Sequence, residues 1–88
     1  MASEQESGDV HAQVRQACEA PGVQAVIGPA CQALRSGLHL RAEARDALRV
    51  VIFEQYTLAA QRSGLSQYQA IKVAGELEDD DERQERAN

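Results

Sequence analysis

The chain has 88 residues, with nine Lys+Arg against fourteen Asp+Glu and a formal net charge of -5. That length holds one small domain and excludes a dinucleotide-binding fold, a barrel or a two-lobed enzyme. The charge is unevenly placed: residues 76–88 carry seven acids and two arginines, while residues 1–75 carry seven of each sign. A neutral body with an acidic tail is therefore expected. The longest undiluted apolar run is Val50-Val51-Ile52-Phe53, far short of the roughly 20 residues a membrane span needs. The first residues are acidic and polar, without the basic and apolar regions of a secretion signal, so a cytoplasmic location is expected.

Hydrophobic residues make up 43% of the chain, but fifteen of them are alanine, and the aromatics are only Phe53, Tyr56 and Tyr68. Alanine favours helix and close helix contact but buries little area. A core this small gains from association.

In chain order, residues 1–8 read as a disordered leader. Val10, Val14, Ala17 and Cys18 then share one helical face, predicting a short helix over about 9–20 that ends at Ala20-Pro21-Gly22. Val23, Val26, Ile27, Ala30, Cys31 and Leu34 continue the spacing, interrupted by Gly28-Pro29. Proline removes a donor and disfavours helix at the residue before it. Two readings follow: one kinked helix, or a turn over 22–27 and a new helix opening at Pro29. The second is preferred. Ser36-Gly37 is read as a cap and turn.

The spacing predicts a long central helix over about 39–62. Leu40, Ala44, Ala47, Leu48, Val51, Leu58 and Ala59 form its main apolar stripe, and Arg41, Arg45 and Arg49 recur off that stripe. Val50, Phe53, Thr57 and Ala60 form a second apolar face. Ser63-Gly64 ends the helix. Ser66 and Gln69 make a capping box, and Ala70, Val73, Ala74 and Leu77 carry a last helix to about residue 78. Acids oppose the dipole at a helix C-terminus, so residues 79–88 are expected to leave the helix as an acidic tail. The tail could dock on a basic partner, fold over the chain's own stripe of Arg41, Arg45 and Arg49, or only solubilise. The fold class expected is all-α: a small four-helix domain over 9–78 with one long central helix, forming a helical homodimer.

Cys18 and Cys31 both fall on apolar positions and read as small core residues. A zinc site would need His11 and His39 as well, and no close ligand pair exists. No catalytic constellation, phosphate loop or cofactor motif is present. Gly75 falls inside the last helix, where it is read as permitting a close helix contact.

The sharpest pattern spans Tyr56–Leu77 and resembles a helix-turn-helix. Ala60, Gly64, Leu65, Ala70 and Val73 occupy the small, turn and apolar places of that motif. Gln67, Tyr68, Gln69, Ile71 and Lys72 would then point outward, where glutamine can read adenine edges and lysine can touch phosphate. One basic residue on a helix that runs into Glu76–Glu82 equips that face poorly for phosphates, so a purely structural pair of helices is preferred.

The residues together predict no enzyme, metal or cofactor. They predict a small bacterial or phage protein-binding regulator, of inhibitor, adaptor or chaperone type, that acts as a homo-oligomer. Self-association is assigned to Val50, Phe53, Tyr56 and Thr57, with Tyr68 nearby, and an unidentified protein partner to Arg41, Arg45 and Arg49. The second choice is a DNA-binding regulator reading through Gln67, Tyr68, Gln69 and Lys72. The third is an accessory subunit of a larger enzyme.

Overall fold

The computed structural model describes residues 2–36 and 40–87. Among the described residues four helices follow one another: α1 (Ala2–Ala17), α2 (Pro21–Arg35), α3 (Ala42–Arg62) and α4 (Gln67–Ala87). No strand occurs among the described residues. The all-α four-helix expectation holds, with α3 central: it packs most extensively on α4, then on α2, and also on α1. No helix among the described residues is long and apolar enough to cross a membrane. The turn assigned to Gly37 and the ligand considered at His39 lie outside the described residues.

Several helix bounds differ from the sequence reading. Helix α1 begins at Ala2 and stops at Ala17, so residues 2–8 of the expected leader are helical. Helix α2 is one element containing Pro29 and opening at Pro21, a place where a missing N–H costs nothing. The preferred break before Pro29 is therefore wrong. Pro29 and Ala25, whose carbonyl loses its intrahelical partner, both lie on the exposed side of α2. Gly28, just before the proline, has no Cβ to meet the ring.

The link from α3 to α4 is built as the sequence predicts. Ser63 closes α3, Gly64 takes φ 100°, and the Leu65 and Gly64 N–H groups donate to the carbonyls of Ala60 (3.2 Å) and Gln61 (3.0 Å). This is a Schellman ending, in which a left-handed glycine satisfies carbonyls the helix leaves open. Ser66 and Gln69 then form the reciprocal capping box: the Gln69 N–H donates to Ser66 Oγ at 3.2 Å, and the Ser66 N–H donates to Gln69 Oε1 at 3.3 Å.

The core collects Val14 and Cys18, Val23, Ile27 and Ala30 of α2, Ile52, Tyr56, Ala59 and Ala60 of α3, and Ala70, Val73, Ala74 and Leu77 of α4. Val14 and Leu77 are its largest fully buried side chains. No charged or polar residue is buried among the described residues. Gly75 is half-buried, and a Cβ built there would meet nothing within 4 Å. The close helix contact expected of it does not occur within the chain.

Helix α4 continues to Ala87, nine residues beyond the expected end. The acids that should have ended it are held by tertiary partners. Arg15 reaches Asp81 at 3.0 Å, Arg49 reaches Glu85 at 3.0 Å, and His11 lies 2.9 Å from Glu76. Arg83 and Arg86 add pairs to Asp80 and Glu82 along the same helix. The tail folds back onto the body, but of the arginine stripe it meets Arg49 alone, and Arg15 of α1 supplies the other tertiary arginine.

Candidate functional site

Two surfaces stand out. The first is a cleft of about 390 Å³ between α1, α2 and α4, with Tyr56 of α3 in its wall. Tyr56 donates its hydroxyl to Asp81 Oδ2, while Arg15 donates to Asp81 Oδ1. Burial, followed by the neighbouring Asp81 carboxylate, pushes the phenol of Tyr56 far above its usual range. Cys18 and Cys31 line the same cleft as free thiols, and burial pushes both up.

The chemistry open to this cleft is narrow. A reactive cysteine needs a lowered pKa, and both thiols here are shifted the other way. Each Asp81 oxygen accepts one hydrogen bond, from Arg15 or from Tyr56, which fixes the carboxylate between the helices. Among the described residues, no group of three or more His, Cys, Asp or Glu side chains is placed to hold a metal ion. The cleft therefore reads as a polar joint that ties α4 to α1 and α3.

The second surface is the outer face of α3. Its core-facing residues are Ile52, Tyr56, Ala59 and Ala60. The main stripe read from the sequence points elsewhere. Ala44 and Ala47 are exposed, Val51 is half-buried and Leu58 is 42% exposed. Only Leu48 and Ala59 of that stripe turn toward the core. The whole stretch Arg41–Ala47 is exposed on every side, so the first turns of α3 project past the body. The radius of gyration, 13.3 Å, exceeds the roughly 12 Å expected of a compact chain of this length, in keeping with such an overhang.

The residues assigned to self-association divide. Val50 is 55% exposed and Tyr68 is 79% exposed. Phe53 is half-buried against the core, and Thr57 is half-buried with its hydroxyl donated to the Phe53 carbonyl at 2.9 Å. Tyr56 is 4% exposed and belongs to the interior, which removes it from any contact face. Of the arginine stripe, Arg41 and Arg45 are exposed, whereas Arg49 is half-buried in its pair with Glu85.

Gln67, Tyr68, Gln69, Ile71 and Lys72 are all exposed on α4. The two helices, however, do not cross as a helix-turn-helix does, at roughly 90–120°. At about 1.5 Å per residue, Arg49 and Glu85 lie roughly 20 Å and 27 Å from the turn. Perpendicular helices would hold them about 33 Å apart by the same rise, far beyond two side chains. Their 3.0 Å contact requires α3 and α4 to run side by side, antiparallel, as an αα-hairpin.

Sequence reasoning missed Arg15, Asp81 and Glu85 as a group. A signal existed: Asp81 and Glu85 continue the Ala70–Ala74–Leu77 stripe at helical spacing, which places two carboxylates on the packing face. The chain matches no protein-family model, no curated protein and no solved structure.

Proposed function

We propose that this protein is a small protein-binding regulator that works as a helical homo-oligomer. One observation carries the reading. The most regular apolar stripe in the sequence, through Ala44, Ala47, Val51 and Leu58, is left largely uncovered on the outer face of α3. A chain with so few large hydrophobic residues gains little by exposing them, and apolar side chains left uncovered along one helix face point to an interaction site. The cleft serves as a joint between helices: burial holds its thiols protonated, and its Asp81 carboxylate accepts from Arg15 and Tyr56. The exposed Arg41 and Arg45 at the free end of α3 offer a cationic contact for an acidic partner.

Sedimentation across the micromolar range tests the oligomer, and affinity capture from the source cells, with and without nuclease, tests the partner. Association of the chain with itself, and protein capture that survives nuclease, are the expected results. A chain that stays at 9.6 kDa throughout sinks the oligomer. Capture that disappears with nuclease favours the DNA-reading alternative, which the side-by-side geometry of α3 and α4 does not support.

A further inference from the structure

The outer face of α3 has the spacing of a coiled-coil seam. Ala44, Ala47, Val51, Glu54 and Leu58 follow one another at intervals of three, four, three and four, which are the a and d places of consecutive heptads. All five are exposed except the half-buried Val51. Glu54 is the one polar member, and a single polar residue in a seam fixes orientation and register.

We propose that a second copy of this chain covers this face, with the two α3 helices antiparallel about a two-fold axis at the level of Arg49. This rests on the oligomeric reading above and gives it a geometry. In this register Val51 meets Ala47 of the second copy, and Ala47 meets its Val51, as the reciprocity of a two-fold interface requires. Glu54 meets the small Ala44 of the second copy. Arg41 of that copy is the N-cap of its α3, three residues before Ala44, and so stands at the end of the helix that Glu54 faces. Leu58 meets Leu40, which is half-buried just before the helix begins. The two alanines let the backbones approach closely.

Charge selects this pairing over the parallel one. A parallel, in-register seam sets Glu54 against Glu54, two like charges at one layer. The antiparallel seam sets Glu54 beside Arg41, and among the described residues neither forms an ion pair within its own chain. A register one heptad away sets Glu54 over Val51 and removes Arg41 from reach. Of these three arrangements, the first alone sets Glu54 beside an opposite charge.

The test is sedimentation equilibrium of the full chain and three variants from about 10 to about 200 µM, a range that brackets weak-to-moderate association. Helicity is measured alongside. Ala47→Glu adds a charge at an exposed position and should leave helicity unchanged while weakening the dimer at least roughly tenfold. Glu54→Arg should weaken it several-fold, and Arg41→Glu combined with Glu54→Arg should restore it. A dimer indifferent to Ala47→Glu overturns the seam while leaving the oligomer standing. Failure of the charge exchange to restore binding overturns the antiparallel register. A chain that is monomeric at every concentration overturns both this proposal and the oligomeric reading.

Discussion

Tyr56 and Glu78 act in opposite senses where the acidic helix meets the body. Tyr56 meets Asp81 at the wall of the cleft, so Tyr56→Phe removes a donor and leaves Asp81 with Arg15 alone. The expected cost is about 1 kcal/mol, the usual net worth of one hydrogen bond, read as a lower midpoint in urea. An unchanged midpoint would show that Asp81 gains nothing from the phenol. Glu78 is shifted in the opposite sense from a paired carboxylate. Burial pushes its pKa to about 7, with the Asp81, Glu82 and Asp79 carboxylates adding to the rise and Arg49 opposing it. A carboxyl raised in the folded state binds its proton more tightly there than when unfolded. Its contribution to stability is therefore full below the unfolded value near 4.5 and is lost as pH rises toward about 7. Glu78→Gln should stabilise the protein at pH 8 and lose that advantage near pH 4. Partial exposure screens the effect to about 1 kcal/mol at most. Thermal melts of both proteins across that range decide it, and an advantage independent of pH would contradict the assignment.

Elements were legible from sequence wherever local chemistry alone decides them. Gly64 and the Ser66–Gln69 pair set the α3–α4 turn through bonds to their own neighbours, and such bonds can be read from residue types. Two other boundaries and one helix face depend on how the helices sit in the fold. The expected stop before Pro29 failed because Pro29 falls on the exposed side of α2, which no local rule reports. The expected end of α4 near residue 78 failed because Arg15 and Arg49 arrive from other helices to meet Asp81 and Glu85. The core face of α3 was misassigned because tertiary packing buries Ile52 and Tyr56, which belong to neither apolar face read from the sequence, together with Ala59 of one and Ala60 of the other. Pro29 remains a local defect inside a tolerated helix. Pro29→Ala restores one intrahelical hydrogen bond, offset in part by greater freedom of the unfolded chain. It should raise stability by about 1–2 kcal/mol. A melting temperature that falls instead would mean that the proline bend is needed to seat α2 on α3.

At the scale of the whole molecule, the acidic segment is a structural strut. The net charge of -5 belongs to residues 76–88, and residues 35–72 hold six bases against three acids. Folding sets part of one against the other. Arg49 from that basic stretch pairs with Glu85, Arg15 of α1 pairs with Asp81, and Tyr56 closes on the same carboxylate. Each exposed pair alone is worth little, but these contacts hold the distal half of α4 beyond Leu77, where its remaining core contact is slight. A chain cut after Glu78 keeps every residue of the apolar core yet loses Asp81 and Glu85. It also leaves the Tyr56 hydroxyl without its partner at the cleft. The expected loss is about 2–3 kcal/mol, a large share of what a domain this size has. It should appear as a lower urea midpoint and a smaller helical signal per residue. Sodium chloride should narrow the gap between full and cut chains, because it screens the ion pairs only the full chain possesses. A cut chain with the same midpoint at every salt concentration would return residues 79–88 to the role of a solubilising arm, and would make truncation a clean probe of partner binding.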